Sequence, residues 1–497
     1  MSGEYDLVII GGGISGASLL YTVSKFTDIE RIALLEKEDE IASINSHHTN
    51  NSQTLHFGDI ETNYTLEKAD EVKEGAEMLA GYLENVDPDR EMHSKRSKMV
   101  LAVGDEEVEQ LERRYHDEGF SELFPKLEAI GREEIADLEP KVVEGREPGT
   151  EMLALQTPDG YVVDYGETTK SFVRDGEEVD GVDVYTGTTV TGITEGYDGF
   201  TIETDHGPFD ADVTVVAAGS HSLQVAKQMG YGENKSLLPV AGSFFLADDF
   251  LNGKVYTLQM KKLPFAAVHG DADVHDDSVT RFGPTAKLVP TLERGEISTV
   301  KDFFDVFGLN VDSFLSYGNI LADRILLPYV LRNLVYDLPA VGKRAFLPNV
   351  QKVVPSAELS DIERAKGYGG VRPQIVDTEA KSLDMGEAKI TKENIIFNIT
   401  PSPGASTCLK NAYRDTQQLM EFFDHEYEFD AEAFEEETID NFPRKASGDA
   451  DVDADADADV DTESEPETDT DDSTESASVS ESESEPEPEP EPVESEV

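Results

Sequence analysis

The chain has a single cysteine among its 497 residues and no long apolar run. With Cys408 alone, neither an internal disulfide nor a cysteine-based metal cluster can form. No apolar stretch approaches the roughly 20 residues needed to span a bilayer. No charged, apolar and small-residue signal segment precedes the first apolar run. We therefore expect a cytoplasmic protein, either free or peripheral on the cytoplasmic face of the cell membrane.

Basic residues are also scarce, because 41 Lys and Arg stand against 104 Asp and Glu, a formal net charge of −63. Such a charge argues against nucleic acid as a partner. Residues 446–497 hold 22 of the acidic residues and no Lys or Arg, which leaves 82 acidic against 41 basic residues in residues 1–445. A body this acidic repels itself at low ionic strength, so we predict a halophilic protein whose folding depends on salt.

The segment 446–497 consists of Asp-Ala and Glu-Pro repeats without aromatic residues. It cannot bury enough apolar surface to offset its ordering entropy. We predict a disordered acidic tail there. The rest of the chain is long enough for two or three domains.

A strand, a glycine turn, a helix and a second strand open the chain. Residues 6–16 read DLVIIGGGISG and residues 31–36 read RIALLE. Gly11 permits a tight turn, Gly13 lets the backbone approach a pyrophosphate, and Gly16 lets the helix pack on the strand. Glu36 lies about 20 residues beyond the glycines, where an acid accepts hydrogen bonds from a ribose. The pattern predicts a dinucleotide site at the helix N-terminus, including Ile14 and Ser15.

The glycine pattern alone fits both NAD and FAD. A second apolar run at 213–219 ends in Ala218 and Gly219, as expected of a strand that passes close to a cofactor. Such a return to the first sheet is typical of two-domain flavoproteins. We also assign Val190, in a strand-rich region at 182–219, to the cofactor site.

The remaining elements are predicted from periodicity. Residues 64–84 and 105–119 have helical spacing, residues 237–290 alternate as in a sheet, and residues 301–338 are predicted as helices. We expect an α/β fold with a Rossmann-type FAD domain and a mixed-sheet substrate domain. The FAD domain would comprise residues 1–60, 150–235 and 365–425, and the substrate domain residues 61–149 and 236–364.

Five stretches resemble blocks of the FAD-dependent malate:quinone oxidoreductases. They are residues 265–271 (FAAVHGD), 281–286 (RFGPTA), 315–319 (LSYGN), 370–374 (GVRPQ) and 397–409 (FNITPSPGASTCL). With the glycine motif, they cover most of residues 5–422 in order. The stretch 45–56 (NSHHTNNSQTLH) departs from the family, many members of which carry a tryptophan-containing segment with a Gly-Thr-Gly-His run there. The chain therefore resembles a divergent branch.

The resemblance implies oxidation of (S)-malate to oxaloacetate by hydride transfer to FAD, with a membrane quinone as acceptor. His269, in the family's histidine block, is the candidate base, and His56 is its rival. Arg372, between glycines and a proline, is the candidate for a substrate carboxylate. Arg281 and Lys287 are candidates for the second carboxylate. We expect no metal in this site.

The same comparison places further residues near the flavin. Asn50, Asn51, Ser52 and Gly370 are assigned to the cofactor. A loop at 401–405, with Pro403, Gly404 and Ala405, precedes a helix predicted from Ser406 to Met420 whose N-terminus would stabilise a reduced flavin. Cys408 in this helix is interpreted as a packing residue.

Three alternatives remain open from the sequence. The chain could oxidise another 2-hydroxy acid or an amino acid, it could use a nicotinamide cofactor, or it could bind flavin without catalysis. A quinone acceptor requires an apolar membrane-contacting surface, for which the aromatic and aliphatic cluster at 303–329 is the candidate. The same cluster also fits a core.

Overall fold

The structure is a computed structural model that describes residues 3–197, 199–259, 267–308, 311–324, 326–339, 341–383, 388–399 and 403–440. These residues belong to one compact unit, Met1–Arg444. The predicted tail at 446–497 lies outside the described residues. So do parts of two blocks that resemble the family, residues 265–266 and 400–402.

The described part of the chain contains both strands and helices. The strands are β1 Glu4–Ile10, β2 Ile32–Leu35, β3 His93–Val103, β4 Glu128–Gly131, β5 Met152–Val163, β6 Val182–Tyr185, β7 Val190–Glu195, β8 Phe200–Thr204, β9 Phe209–Val216, β10 Lys235–Ala241, β11 Phe245–Asp248, β12 Lys254–Thr257, β13 His269–Ala272, β14 Val279–Gly283, β15 Lys287–Leu288, β16 Ile362–Arg364, β17 Val371–Asp377, β18 Ser382–Leu383, β19 Ala388–Lys392 and β20 Ile395–Ile399. The helices are α1 Ile14–Phe26, α2 Leu66–Val86, α3 Asp105–His116, α4 Phe120–Leu123, α5 Arg132–Leu138, α6 Pro140–Val143, α7 Tyr165–Glu177, α8 Ser222–Gln228, α9 Val300–Phe307, α10 Val311–Leu321, α11 Leu326–Tyr336, α12 Gly342–Val353, α13 Cys408–Phe422 and α14 Ala431–Glu435.

The first sheet has the order β19-β20-β9-β1-β2-β6, with β8 joining β7 to β9. β1 lies at its centre, parallel to β2 and β9. Its residues from Tyr5 to Ile10 are all buried, as expected for a parallel strand that is covered on both faces. Helix α1 packs against both α7 and α13 beside this sheet. The carboxyl ends of β1, β2 and β9 therefore meet at one edge, where the glycine turn begins.

Two further sheets complete the unit. One has the order β15-β10-β17-β18, and the other, of eight strands, has the order β16-β11-β14-β13-β12-β3-β5-β4. The α/β fold class with several sheets is thus as predicted. The division into domains stays a prediction, although three strands from segments assigned to the FAD domain, β5, β17 and β18, belong to these two sheets. β5 pairs with β3, and β17 pairs with β10, although the sequence assigned β5 and β17 to the FAD domain.

The helices predicted at 64–84, 105–119 and 301–338 correspond to α2, to α3 and to α9, α10 and α11. Their ends differ by a few residues because capping, rather than periodicity, sets each terminus. For example, α2 begins after Thr65, whose hydroxyl accepts a hydrogen bond from the Lys68 amide. No helix in the described part of the chain is both long and apolar enough to cross a membrane.

Candidate active site

The glycine turn after β1 has the geometry that the sequence predicts. Gly11 has φ +115°, and a Cβ there would lie 2.5 Å from the Ala217 carbonyl oxygen. A Cβ on Gly16 would lie 1.9 Å from the Gly11 carbonyl oxygen. Since no side chain fits at either position, both glycines are required for the close packing of β1, β9 and α1.

The start of α1 faces a cleft. Gly13 is the N-cap residue, and the Ile14 amide donates to Ser46 Oγ at 2.9 Å. Gly13, Ile14 and Ser15 all line the cleft. Unpaired amides at a helix N-terminus favour a phosphate, so this end of the cleft suits a pyrophosphate.

Glu36 follows β2 and lines the same cleft. Its Oε2 accepts a hydrogen bond from the Gly12 amide at 2.6 Å, and its Oε1 accepts one from the Glu38 amide at 2.8 Å. Burial raises the pKa of Glu36, and these two hydrogen bonds oppose that effect. Glu36 therefore holds the glycine turn in place and also borders the space beside it.

The cleft has a volume of about 720 Å³ and brings together most of the predicted cofactor residues. Those that line it are Gly11, Gly13, Ile14, Ser15, Glu36, Asn50, Asn51, Ser52, Val190, Ala218, Gly219, Gly370, Pro403, Gly404, Ala405 and Ser406. Gly16 does not line it, because it lies beneath the turn against Gly11. The glycine turn, the helix N-terminus and Glu36 are the parts that an ADP moiety requires, so the residues present fit FAD.

The asparagines hold the loop between β2 and α2. Asn50 Nδ2 donates to the Ile44 carbonyl at 2.7 Å, and Asn51 Nδ2 donates to the His47 carbonyl at 2.9 Å. Asn45 pairs with both backbone groups of Val371, as acceptor at 3.1 Å and donor at 3.0 Å. The loop that lines the cofactor cleft is thereby fixed to the start of β17.

His56 lines the cleft and is held on three sides. Its Nδ1 lies 2.5 Å from Glu61 Oε1, its Nε2 lies 3.3 Å from Ser52 Oγ, and its backbone amide donates to Ser406 Oγ at 2.9 Å. An ionised carboxylate is only an acceptor, so Glu61 selects the tautomer with hydrogen on Nδ1. His56 Nε2 then carries a lone pair and can accept a proton.

Glu61 is buried, and burial raises the pKa of its carboxyl. The hydrogen bond from His56, followed by the charges of His56 and Lys98, outweighs that effect and lowers the pKa below its usual value. Lys98 is also fully buried and donates to Asp59 Oδ1 at 2.9 Å. Glu61 is therefore an ionised, buried partner for the imidazole.

His269 is placed differently. It is fully buried in β13, its ring stacks on Tyr256 with centroids 4.3 Å apart, and it does not line the cleft. Its Nε2 lies 3.5 Å from Asp271 Oδ1. Burial lowers the pKa of His269 to about 3. The geometry therefore favours His56 over His269 as the base.

Arg281 is also fully buried and lies behind the cleft lining. Its Nη2 contacts Asp271 Oδ2 at 2.5 Å and donates to the Ser52 carbonyl at 3.1 Å. Lys254, whose pKa burial lowers to about 8, donates to the same carbonyl at 3.3 Å. In this arrangement, both cations fix the backbone of Ser52.

Arg372 lines the cleft at the start of β17. Burial lowers the pKa of its guanidinium, and the hydroxyls of Tyr329, Tyr256 and Tyr64 oppose that effect. Among the residues that the structure describes, no carboxylate pairs with it. Lys287, by contrast, pairs with Asp337 at 3.0 Å and does not line the cleft.

The helix α13 begins at Cys408, two residues later than predicted. The Ser406 amide donates to the Pro403 carbonyl at 2.7 Å, which closes a turn before the helix. Cys408 is buried, and burial raises the pKa of its thiol to about 12. A thiol with that pKa is not a nucleophile near neutral pH, in agreement with a packing role.

Comparisons with known proteins agree with this geometry. Residues 6–408 match the FAD dependent oxidoreductase family. A protein named "Probable malate:quinone oxidoreductase" from Campylobacter jejuni is 41% identical over 439 residues, which are 86% of this chain and 98% of that relative. The chain belongs to the malate:quinone oxidoreductase family. Its cofactor is FAD, as for the FAD dependent oxidoreductase family in which it lies.

One further sequence relative and two solved structures are more distantly similar to this chain. The mitochondrial L-2-hydroxyglutarate dehydrogenase of Caenorhabditis elegans is 27% identical over 435 residues, 84% of this chain and 94% of that relative. The FAD-bound L-α-glycerophosphate oxidase of Mycoplasma pneumoniae superposes with a TM-score of 0.60 at 18% identity, covering 84% of this chain and 95% of the oxidase. Glycine oxidase from Geobacillus kaustophilus gives a TM-score of 0.57 at 17% identity, with 87% and 98% coverage.

Sequence reasoning missed several residues of this malate:quinone oxidoreductase family member. Glu61 lies five residues after His56, a spacing that carries no motif. Ser46 and Asn45 belong to the quoted stretch 45–56 but were not singled out. Tyr256, which packs between His56 and His269 with centroid distances of 6.3 and 4.3 Å, comes from a short buried strand without any polar pattern.

Proposed function

We propose that the protein oxidises (S)-malate to oxaloacetate with FAD and passes the electrons to a membrane quinone. One observation carries the proposal. His56, with its buried carboxylate partner Glu61, lines the same cleft as the cofactor residues. So does Arg372, which has no carboxylate partner among the residues that the structure describes. Family membership, with a relative covered over 98% of its length, supports the same activity.

Arg372 is proposed to bind a substrate carboxylate. Its planar guanidinium can make two parallel hydrogen bonds to a carboxylate. The attachment of Asn45 to Val371 holds the residue next to Arg372 in position. A bound carboxylate would thus be held in a fixed orientation beside the loop between β2 and α2, which we call the cofactor loop.

His56 is proposed to take the proton of the substrate hydroxyl at Nε2. The Nδ1 contact with ionised Glu61 fixes the tautomer and stabilises the imidazolium that forms. Bound FAD would accept the hydride from substrate C2. Arg281 and Lys254, through the Ser52 carbonyl, would keep Ser52 Oγ beside His56 Nε2.

A quinone acceptor requires access to a bilayer, and α9, α10 and α11 offer a surface for it. Nine of the eleven exposed large apolar side chains in the described residues lie between 297 and 341. They are Ile297, Phe304, Phe314, Leu315, Leu327, Leu331, Leu334, Leu338 and Val341. Residues 297–344 contain five acidic and five basic residues, whereas residues 1–445 have twice as many acids as bases.

This surface, which we call the apolar face of 297–341, is proposed to contact the bilayer. With Lys343 and Arg344 just beyond it, this face has no formal net charge, so it avoids the repulsion that the rest of so acidic a chain would meet at an anionic membrane. The start of this face also reaches the cofactor site, because Asp302 in the first turn of α9 lines the cleft. We propose a peripheral location on the cytoplasmic face of the membrane, in a host with a salt-rich cytoplasm.

The test is anaerobic addition of (S)-malate to the purified flavoprotein in high salt, followed by visible spectroscopy. Bleaching of the flavin band without added NAD supports the proposal and argues against a nicotinamide enzyme. (R)-malate and L-2-hydroxyglutarate serve as matched controls, the latter because it is one methylene longer. Faster reduction of the flavin by another hydroxy or amino acid would contradict the proposed substrate. So would a flavin that none of these acids reduces.

A further inference from the structure

Three side chains with metal-ligating atoms converge behind the cofactor loop. His275 Nε2 lies 2.7 Å from Asp164 Oδ2, and His48 Nδ1 lies 3.9 Å from the same oxygen. The three ligand atoms all lie within 4.8 Å of one another. None of the three residues lines the cofactor cleft, so the cluster is separate from the proposed active site.

Each residue of the cluster belongs to a different, anchored segment. Asp164 is the N-cap of α7, and its Oδ1 accepts hydrogen bonds from the Gly166 and Glu167 amides at 2.8 and 3.0 Å. This arrangement leaves Oδ2 directed at the histidines. His48 lies in the short helical turn His48–Asn50 of the cofactor loop.

His275 lies in the turn between β13 and β14. Gln53 ties that turn to the cofactor loop, since its Oε1 accepts from the Val274 amide at 2.9 Å and its Nε2 donates to Asp273 Oδ2 at 3.2 Å. The backbone on both sides of the cluster is therefore fixed. His275 itself is 46% exposed and can adjust its ring.

We propose that His48, Asp164 and His275 bind a divalent transition-metal ion such as Zn²⁺. Two imidazoles and one carboxylate are ligands for zinc and its neighbours in the first transition row, whereas Mg²⁺ and Ca²⁺ prefer sets of oxygen atoms. Three protein ligands leave a fourth position for water.

The distances suit such an ion after small movements. Zinc bonds of about 2.0–2.1 Å in tetrahedral geometry separate neighbouring ligand atoms by roughly 3.3 Å. The observed separations of 2.7 and 3.9 Å from Asp164 Oδ2 lie on either side of that value. The His48 and His275 rings already meet edge to face with centroids 4.8 Å apart, and the exposed His275 can move.

A bound ion would join the cofactor loop, the N-terminus of α7 and the β13–β14 turn. These segments come from regions about 115 and 110 residues apart in sequence, as the numbers of His48, Asp164 and His275 show. The ion would therefore stabilise the loop that carries Asn50, Asn51 and Ser52 without entering the cleft. Because only the folded chain presents all three ligands, the ion would raise the melting temperature.

The experiment is titration of Co²⁺ into tag-free, chelator-treated holoprotein in high salt with excess Mg²⁺. The Mg²⁺ occupies nonspecific carboxylate sites of this acidic chain. Tetrahedral Co²⁺ absorbs at longer wavelengths than the oxidised flavin, so its band is readable in the holoprotein. We expect one Co²⁺ per chain, loss of the Co²⁺ band when Zn²⁺ displaces the ion, and a higher melting temperature with Zn²⁺.

Two variants identify the site. His275→Gln removes an exposed ligand that does not support the core, and it should weaken Co²⁺ binding roughly tenfold or more, since even outer-shell substitutions cost 10- to 100-fold. His116→Gln, at the exposed end of α3, is the matched control and should bind as the wild type does. Absence of a tetrahedral Co²⁺ band, or equal binding by His275→Gln and the wild type, would overturn the proposal. Neither result depends on the proposed malate activity.

Discussion

His56 and Glu61 form a partly buried pair in which Nδ1 and Oε1 are 2.5 Å apart. The carboxylate lies inside the protein and the imidazole lines the cofactor cleft. The pair has the parts of a proton acceptor with an orienting partner, because the carboxylate fixes one nitrogen and frees the other. Glu61 Oε2 has no hydrogen-bond partner among the described residues, so the carboxylate is committed to His56 through one oxygen.

Glu61→Gln is expected to slow flavin reduction by (S)-malate by roughly 10- to 100-fold, as part of the 10²–10⁴-fold that general base catalysis supplies. The amide keeps the size of the side chain but cannot stabilise an imidazolium. The rate is measured by anaerobic stopped-flow absorbance, with KM expected to change little. Glu67→Gln, in the exposed first turn of α2, is the control. An unchanged rate in Glu61→Gln would remove Glu61 from the mechanism.

The pH dependence distinguishes the two candidate bases. The pKa of His269 is lowered to about 3, chiefly by burial, so this imidazole stays neutral from about pH 5 upward. Its protonation therefore cannot produce an acid limb in kcat/KM near neutral pH. The pKa of His269 is higher in the unfolded chain than in the folded one. Its contribution to folding stability is therefore complete above the unfolded pKa and is lost as the pH falls toward 3.

We accordingly expect His269→Asn to keep the acid limb of the wild-type profile, and His56→Asn to lose most of the rate. Flavin absorbance per chain checks that each variant still holds its cofactor. Loss of the acid limb in a flavin-replete His269→Asn protein would instead identify His269 as the base.

Arg372→Lys is expected to raise KM for (S)-malate by about 10- to 100-fold, because hydrogen bonds to a charged group contribute about 1.5–3 kcal/mol and lysine cannot make the paired contact. Flavin content should be unchanged. Arg364→Lys, an exposed residue paired with Asp337, is the matched control. If the Arg372→Lys protein lost flavin but its remaining flavin-bound fraction had the wild-type KM for (S)-malate, Arg372 would serve the cofactor and not the substrate.

The sequence predicts the parts of this site that are local. The strand, turn and helix around Gly11 and Gly16 follow from steric limits on a few consecutive residues, and the structure shows those limits as contacts of 2.5 and 1.9 Å. The position of α13 was predicted within two residues. These features depend on backbone geometry over one or two turns, which a short stretch of sequence determines.

The choice between His56 and His269 depends on distant residues and could not be made from sequence. His269 is buried because β12 brings Tyr256 against its ring, and His56 is oriented because Glu61 and Ser406 meet it from two segments. Likewise, β5 pairs with β3 in the second sheet although nothing in its composition distinguishes it from a strand of the first. Both facts are set by tertiary packing rather than by periodicity.

The apolar face of 297–341 is expected to control quinone access. Phe314→Ser, which changes a side chain that is 59% exposed on α10, should weaken co-sedimentation with anionic lipid vesicles and lower the rate with a lipid-soluble quinone. Reduction of a water-soluble dye should be unaffected, because that acceptor needs no bilayer. Tyr197→Ser, at a fully exposed position outside this face, is the control. Equal losses with dye and quinone would indicate a folding defect instead.

The melting temperature is expected to rise between about 0.1 M and 1 M KCl, over which the screening length falls from about 10 Å to about 3 Å. The reason is the excess of 82 acidic over 41 basic residues in residues 1–445, which repel one another within a single compact unit. A variant that ends at residue 445 should therefore show the same direction of change as the full chain, although 22 acidic residues have been removed. Calorimetry in KCl and in choline chloride at equal ionic strength separates screening, which both salts provide, from specific binding of potassium. A melting temperature independent of salt in both chains would show that the charge of residues 1–445 is balanced locally by ion pairs. Salt dependence confined to the full chain would assign the effect to residues 446–497.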